Sequence, residues 1–327
     1  MRFLKILALI LVLALALPSV ISCDKDEPVA EDVYYTVTFD SAGGSSVDSV
    51  KIKSGGLLRE PAEPEKEGYI FSGWRNGTVT WIFGENKVNS DLTLTASWID
   101  ATTVFQYTVN DGKITITKYI GNLTTVKVPT NMAGFPVSAI GESAFVGTDP
   151  EKTRNIILGE NITSVGANAF SGCEGISITV EGALTSVGEK AFYGCDGLTS
   201  VTIGEGAEVI SYGAFANCTS LKSATLASTV KTIDENAFQG CLGLQSVMLH
   251  STVRSVGDSA FLDCEALKAI YYYGTAEEWL TTEIAKENNG NAYLLGADLY
   301  IYSEEKPADG AEGQYWHFEK NGKIRIW

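Results

Sequence analysis

Histidine, methionine and proline are scarce in this sequence, at two, three and eight residues among 327. Two histidines leave little for a metal centre or an acid–base relay, and His250 and His317 have no Ser or Asp nearby in sequence that would resemble a nucleophilic triad. No Cys-x-x-Cys pair occurs, which argues against a zinc site. No Gly-rich turn is followed by Gly-Lys-Ser/Thr, so no phosphate loop is indicated. An Asp-x-Asp-x-Asp-Gly calcium loop is also missing. Positive charge is short too: 24 basic against 40 acidic residues give −16, a surface that repels nucleic acid and anionic lipid. Long apolar runs are absent apart from residues 4–17. That run is shorter than the about 20 residues needed to span a bilayer, and with Arg2 and Lys5 before it reads as the core of a signal peptide.

What remains is ordinary globular material, 45% hydrophobic and 20% charged, with 33 glycines that promise many turns. At about 100–200 residues per domain, the length suggests two domains. Val20-Ile21-Ser22-Cys23 resembles a bacterial lipobox. The resemblance implies that residues 1–22 are a lipoprotein signal peptide and that Cys23 carries a lipid. Residues 23–33 then form an acidic tether, and the only membrane contact is through the lipid. The expected location is outside the cytoplasm, anchored to a bacterial membrane and at the cell surface.

Residues 34–99 read as a small β-domain. Tyr35-Thr36-Val37-Thr38-Phe39 alternates as a strand does, and Leu92 to Trp98 supplies another. Between them lie Pro61, Pro64, Gly68 and Gly73, with Tyr69, Phe71 and Trp74 clustered among them. The series Tyr-Thr-Val-Thr-Phe-Asp, Gly68-Tyr69-x-Phe71-x-Gly73-Trp74, Trp81-x-Phe83 and Thr93-Leu94-x-Ala96-x-Trp98 resembles the Listeria–Bacteroides repeat. That resemblance implies a β-grasp-like module used as a spacer or binding accessory. Trp74, Trp81 and Trp98 read as core, or alternatively as a platform for sugar rings.

Residues 104–302 repeat. Ala-Phe recurs at Phe145, Phe170, Phe192, Phe215, Phe238 and Phe261, at spacings of 25, 22, 23, 23 and 23. An Ile or Val stands four residues before each Ala: Ile140, Val165, Val187, Ile210, Ile233 and Val256. From the second copy on, Cys follows three residues after Phe, at Cys173, Cys195, Cys218, Cys241 and Cys264. Each copy reads as a strand, a turn, a short β-segment and one helical turn that points Phe and Cys inward. No single copy can bury its own apolar side, so stacked copies are required and Phe and Cys each form a ladder. Five cysteines at one structural position pair poorly as disulfides, and buried free thiols are expected. The consensus resembles the BspA-type leucine-rich repeat. The fold class expected is therefore mainly β with short helical turns: a leucine-rich repeat solenoid preceded by a small β-grasp-like domain. The resemblance implies a bacterial cell-surface binding protein, with adhesion to host matrix proteins and other cells as the known family role.

Both ends of the array read as capped. A hairpin turns at Asn110-Asp111-Gly112, a helix runs from Thr275 to Glu287 with Thr275 as N-cap, and residues 303–327 close with an Asn-Gly hairpin. Catalysis is not expected, because short stacked repeats seldom build a deep water-excluding pocket, and neither a cofactor nor a metal is expected. The surface expected to bind is the concave strand face. Its outward positions include Ser200, Thr202, Ser223, Thr225, Ser246, Met248, Tyr271 and Tyr273, with the tyrosines as the anchor. The expected partner is a host matrix protein or a bacterial surface protein, with a polysaccharide as the alternative, and no nucleic acid. A passive envelope scaffold is the third reading.

Overall fold

The computed structural model describes residues 32–308 and 313–327, so Cys23 and most of the tether lie outside the described residues. Residues 34–100 form a five-stranded mixed sheet and a two-stranded ladder of Gly56–Leu57 with Lys87–Val88. The strand order of the sheet is Val50–Lys53, Tyr34–Asp40, Leu92–Asp100, Tyr69–Asn76 and Val79–Thr80, with a parallel central pair. Pro61 and Pro64 lie in the connection before Tyr69, where residues 58–66 have no regular structure. The core is Val37, Phe39, Trp74, Trp81, Val88 and Leu94. Ile70 belongs instead to the core of the repeat region, and Ile99 packs against that core. The Gly68 N–H donates to the Asn131 carbonyl at 3.1 Å, and Lys127 pairs with Glu65 at 3.2 Å. The small domain is thus seated on the first turns of the array.

In the array, each copy contributes one strand to a row of longer strands and another to a row of short ones. The residues between short strand and Cys are not helical, contrary to the sequence reading. Two positions in every copy have left-handed backbone. The residue before Ala is Ser143, Asn168, Lys190, Gly213, Asn236 or Ser259, and the second residue after Phe is Gly147, Gly172, Gly194, Asn217, Gly240 or Asp263. A left-handed residue cannot continue a right-handed helix, so the chain folds as successive tight turns. The Phe rings still point inward, fully buried and stacked at 4.8–5.4 Å between centroids.

Backbone and thiols tie this side together. From Phe145 to Phe238, each Phe N–H donates to the carbonyl of the next copy's Ala at 2.8 Å. Each cysteine thiol donates to the Phe carbonyl of the preceding copy, at 3.1–3.2 Å for Cys195, Cys218, Cys241 and Cys264 and 3.7 Å for Cys173. All five are free and buried, as expected from their shared position. Burial pushes Cys173 and Cys264 up to about 12 and the other three upward as well. They are therefore protonated donors and not reactive thiolates.

The ends are closed by groups that imitate a neighbouring copy. At the start, the hairpin of Phe105–Asn110 and Lys113–Tyr119 stacks Tyr119 on Phe145 at 5.5 Å, with Phe105 edge-on behind. At the far end, Asn291 is fully buried. Its Oδ1 accepts from the Phe261 N–H at 3.0 Å where the next Ala carbonyl would stand, and its Nδ2 donates to the carbonyls of Gly257 and Ala285. The Thr275 capping box forms, but the helix ends at Leu280 and not at Glu287. Beyond it, the Glu283 N–H joins the short row at Arg254, which draws the chain out of the helix. The final hairpin adds Gln314–Phe318 and Ile324–Ile326 to the long row.

Both rows break at one place. The long row divides between Ser177–Val180 and Ser200–Ile203, and the short row between Ser186–Val187 and Val209–Ile210. In the third copy, one residue is missing between Ile176 and Ile178 relative to Leu198 and Val201. A Cβ at Gly197 would collide with the Ile176 carbonyl, as one at the equivalent Gly243 would with the Thr219 carbonyl. Among the described residues an isolated bridge between Leu184 and Ile203 crosses the gap in the long row.

Candidate binding face

Alternation in the long row puts Val201 and Ile203 into the core and leaves Ser200 and Thr202 exposed on the solvent face. In register beside them stand Ser223 and Thr225, then Ser246 and Met248, then Ala269 and Tyr271. Parallel pairing therefore brings the expected positions together in two columns across one sheet. Exposure falls along the array. Ser200 and Thr202 are exposed, Ser223, Thr225 and Ser246 half-buried, and Met248 is 8% exposed. Met248 is a correction to the expected surface: it shares the solvent face, but its neighbour Tyr271 begins an aromatic cluster that covers it.

That cluster is larger than the sequence reading supposed. Tyr271 stacks with Tyr300 at 5.5 Å. His250, Tyr273 and Tyr302 form a second column with successive centroids 4.5 Å apart. Trp316 of the final hairpin leans edge-on against Tyr271, Tyr273 and Tyr302 and is fully buried. Tyr271 and Tyr273 are accordingly half-buried, with Trp316 of the C-terminal hairpin packed against both. Burial and the adjacent Tyr300 and Tyr302 raise both phenols above the usual range, so they are protonated donors at neutral pH. Burial lowers His250, against the opposing pull of Glu205, and favours the neutral ring. Tyr300, Tyr302 and Trp316 were not among the expected site residues. Alternation within Asp298–Tyr302 was the available signal for the tyrosines.

The small-domain tryptophans separate. Trp74 and Trp81 are 1% and 9% exposed, with Trp74 wedged against Phe39 at 4.8 Å, and so cannot offer a ring face to a sugar. Trp98 is half-buried, donating its indole N–H to the Ser41 carbonyl at 2.9 Å. Among the described residues no group of His, Cys, Asp and Glu is arranged to hold a metal, and no helix is long and apolar enough to cross a membrane.

Residues 138–268 match, in six copies, the family described as BspA type leucine-rich repeat region, and residues 35–97 match the Listeria-Bacteroides repeat domain. Internalin H of Listeria monocytogenes is 37% identical over 91 residues, which are 26% of this chain and 16% of that protein. A protein of Evansella cellulosilytica is 45% identical over 67 residues, 20% of this chain and 8% of its own length. The chain thus spans only 8–16% of the length of the curated relatives it matches. Among solved structures, a leucine-rich repeat protein of T. pallidum is 28% identical, with 51% of this chain and 79% of that one covered and a TM-score of 0.46. A leucine-rich cell surface protein of Faecalibacterium prausnitzii is 25% identical, with 68% and 59% covered and a TM-score of 0.42. Family matches thus cover two segments of the chain, residues 35–97 with the Listeria-Bacteroides repeat domain and residues 138–268 with the BspA type leucine-rich repeat region.

Proposed function

We propose that this chain is a non-catalytic adhesion lipoprotein of the bacterial cell surface that binds another protein through the solvent face of its long strand row. The observation that carries the reading is the composition of that face. An uncharged row of Ser and Thr hydroxyls runs on one continuous sheet into two columns of tyrosine. Tyrosine edges and hydroxyls supply contact area and hydrogen bonds at low entropic cost, as protein interfaces require. The match to part of Internalin H supports a surface role. Anchoring would come from a lipid on Cys23, and loss of metabolic fatty-acid labelling in Cys23→Ala is the expected check.

The binding test is a screen of the full chain in mild detergent against matrix proteins, bacterial surface proteins and polysaccharides at physiological salt. A saturable protein partner is expected. Tyr271→Phe with Tyr273→Phe keeps the rings on Trp316 and removes only the hydroxyls, and should weaken binding about tenfold. Undiminished binding in that variant would move the site off this face. Saturable binding to polysaccharide alone would replace protein recognition with glycan capture.

A further inference from the structure

A second feature lies where the small domain meets the array. A cleft of about 550 Å³ opens there, within the size range of ligand sites, which often form at domain junctions. One wall is aromatic. Tyr69 is 38% exposed, and Trp98 and Phe71 stand beside it, edge to face at 5.6 Å. The other walls carry carboxylates from separate segments: Glu63, Glu65 and Glu67 on the loop, and Glu160 and Glu181 on neighbouring turns of the array. Lys127 is committed to Glu65. Among the described residues Glu63, Glu67, Glu160 and Glu181 have no ion-pair partner, and all four are exposed.

The aromatic wall already holds a cation. The Lys66 ammonium stands 4.6 Å from the centroid of Tyr69 and 5.7 Å from that of Trp98, and donates to the Ala42 carbonyl at 3.0 Å. Cations favour ring faces because the π-system is negative there, and more so beside carboxylates. We infer that this cleft is a binding site for a basic peptide segment, with a Lys or Arg side chain seated against Tyr69 and further basic side chains paired with Glu160 and Glu181. A peptide fits better than a single small cation because the acids come from separate segments, the loop and two turns of the array, so several basic side chains on one chain are needed to meet them together. Both domains supply walls, so neither alone would complete the site. The site is separate from the tyrosine face, and either can fail without the other.

The test is fluorescence anisotropy with the full chain in mild detergent and a fluorescein-labelled peptide of alternating Lys and Gly, set against the Glu and Gly counterpart. The Lys peptide should bind saturably and the Glu peptide should not. Glu160→Gln with Glu181→Gln should weaken binding about fivefold to tenfold. The same charge change at Glu304→Gln with Glu305→Gln, in the exposed segment after the Asp298–Tyr302 strand, should cost less than about twofold. Tyr69→Leu should also weaken binding. Lys66→Met removes the resident cation but keeps the stem, and should tighten binding, whereas Lys113→Met should leave it nearly unchanged. Circular dichroism of each variant confirms that it is folded. Equal loss in the two double carboxylate variants would mean general acidity and overturn the site. So would no saturable binding, or binding to a neutral oligosaccharide that Tyr69→Leu abolishes while the Lys peptide stays inert.

Discussion

The turn side and the strand side of the array respond differently to the same lesion. Between the third and fourth copies, both strand rows break. The turn side does not: Phe192 stacks on Phe215 at 5.4 Å, the Phe192 N–H reaches the Ala214 carbonyl at 2.8 Å, and the Cys218 thiol reaches the Phe192 carbonyl at 3.1 Å. A missing residue is absorbed where strands are tied by ladder hydrogen bonds and by alternate side chains such as Ile178 and Val201 packed into the core. It is excluded where ring, thiol and backbone contacts must coincide. Cohesion therefore resides on the turn side, and the strand side is free to vary in its outward residues.

The largest effect should come from the ladder. Phe192→Ala should cost about 3–5 kcal/mol in urea unfolding, whereas Thr202→Ala on the strand face should stay within about 0.5 kcal/mol. Comparable losses at both would erase the distinction. Asn291→Ala leaves the Phe261 N–H and the Gly257 and Ala285 carbonyls without their partner and should cost about 2–3 kcal/mol. A smaller loss would show that the last copy needs no substitute neighbour.

Thiol titration sharpens the same contrast. Folding raises the cysteines from 9.0, to about 12 for Cys173 and Cys264, so the folded state holds these protons more tightly than the unfolded chain. Their contribution is whole below about 9 and is lost as pH rises towards about 12, and stability should fall across that window. At neutral pH a thiol reagent should label none of the five before unfolding. The smallest expected change is from inserting one Ser after Ile176. It restores the spacing and should slow amide exchange in Ser200–Ile203 by joining the sheets, with little change in overall stability.

Much of this was legible in the sequence. Phe, Cys and the Ile or Val before them recur because each packs on its own image, so the ladders and the free thiols follow from spacing. The helical turn was misread because the left-handed position before Ala is filled by types as varied as Ser143, Asn168, Lys190 and Gly213, although the second, at Gly147, Gly172, Gly194, Asn217, Gly240 and Asp263, did carry the turn signal. The tyrosines of the binding face were visible by alternation. Trp316 as the residue that covers them was not, since it lies far along the chain and outside the repeat. The cleft was also hidden, because Tyr69, Glu160 and Glu181 meet only after the small domain seats on the array.

Hydrogen exchange followed by mass spectrometry on the full chain tests the division between the two sides most directly. The amides of Phe170, Phe192, Phe215 and Phe238 should be protected alike, including across the break, while those of Ser177–Val180 and Ser200–Ile203 should exchange faster than those of Ser223–Leu226 and Ser246–His250. Faster exchange at Phe192 than at Phe170 and Phe238, with even protection along the long strands, would contradict it.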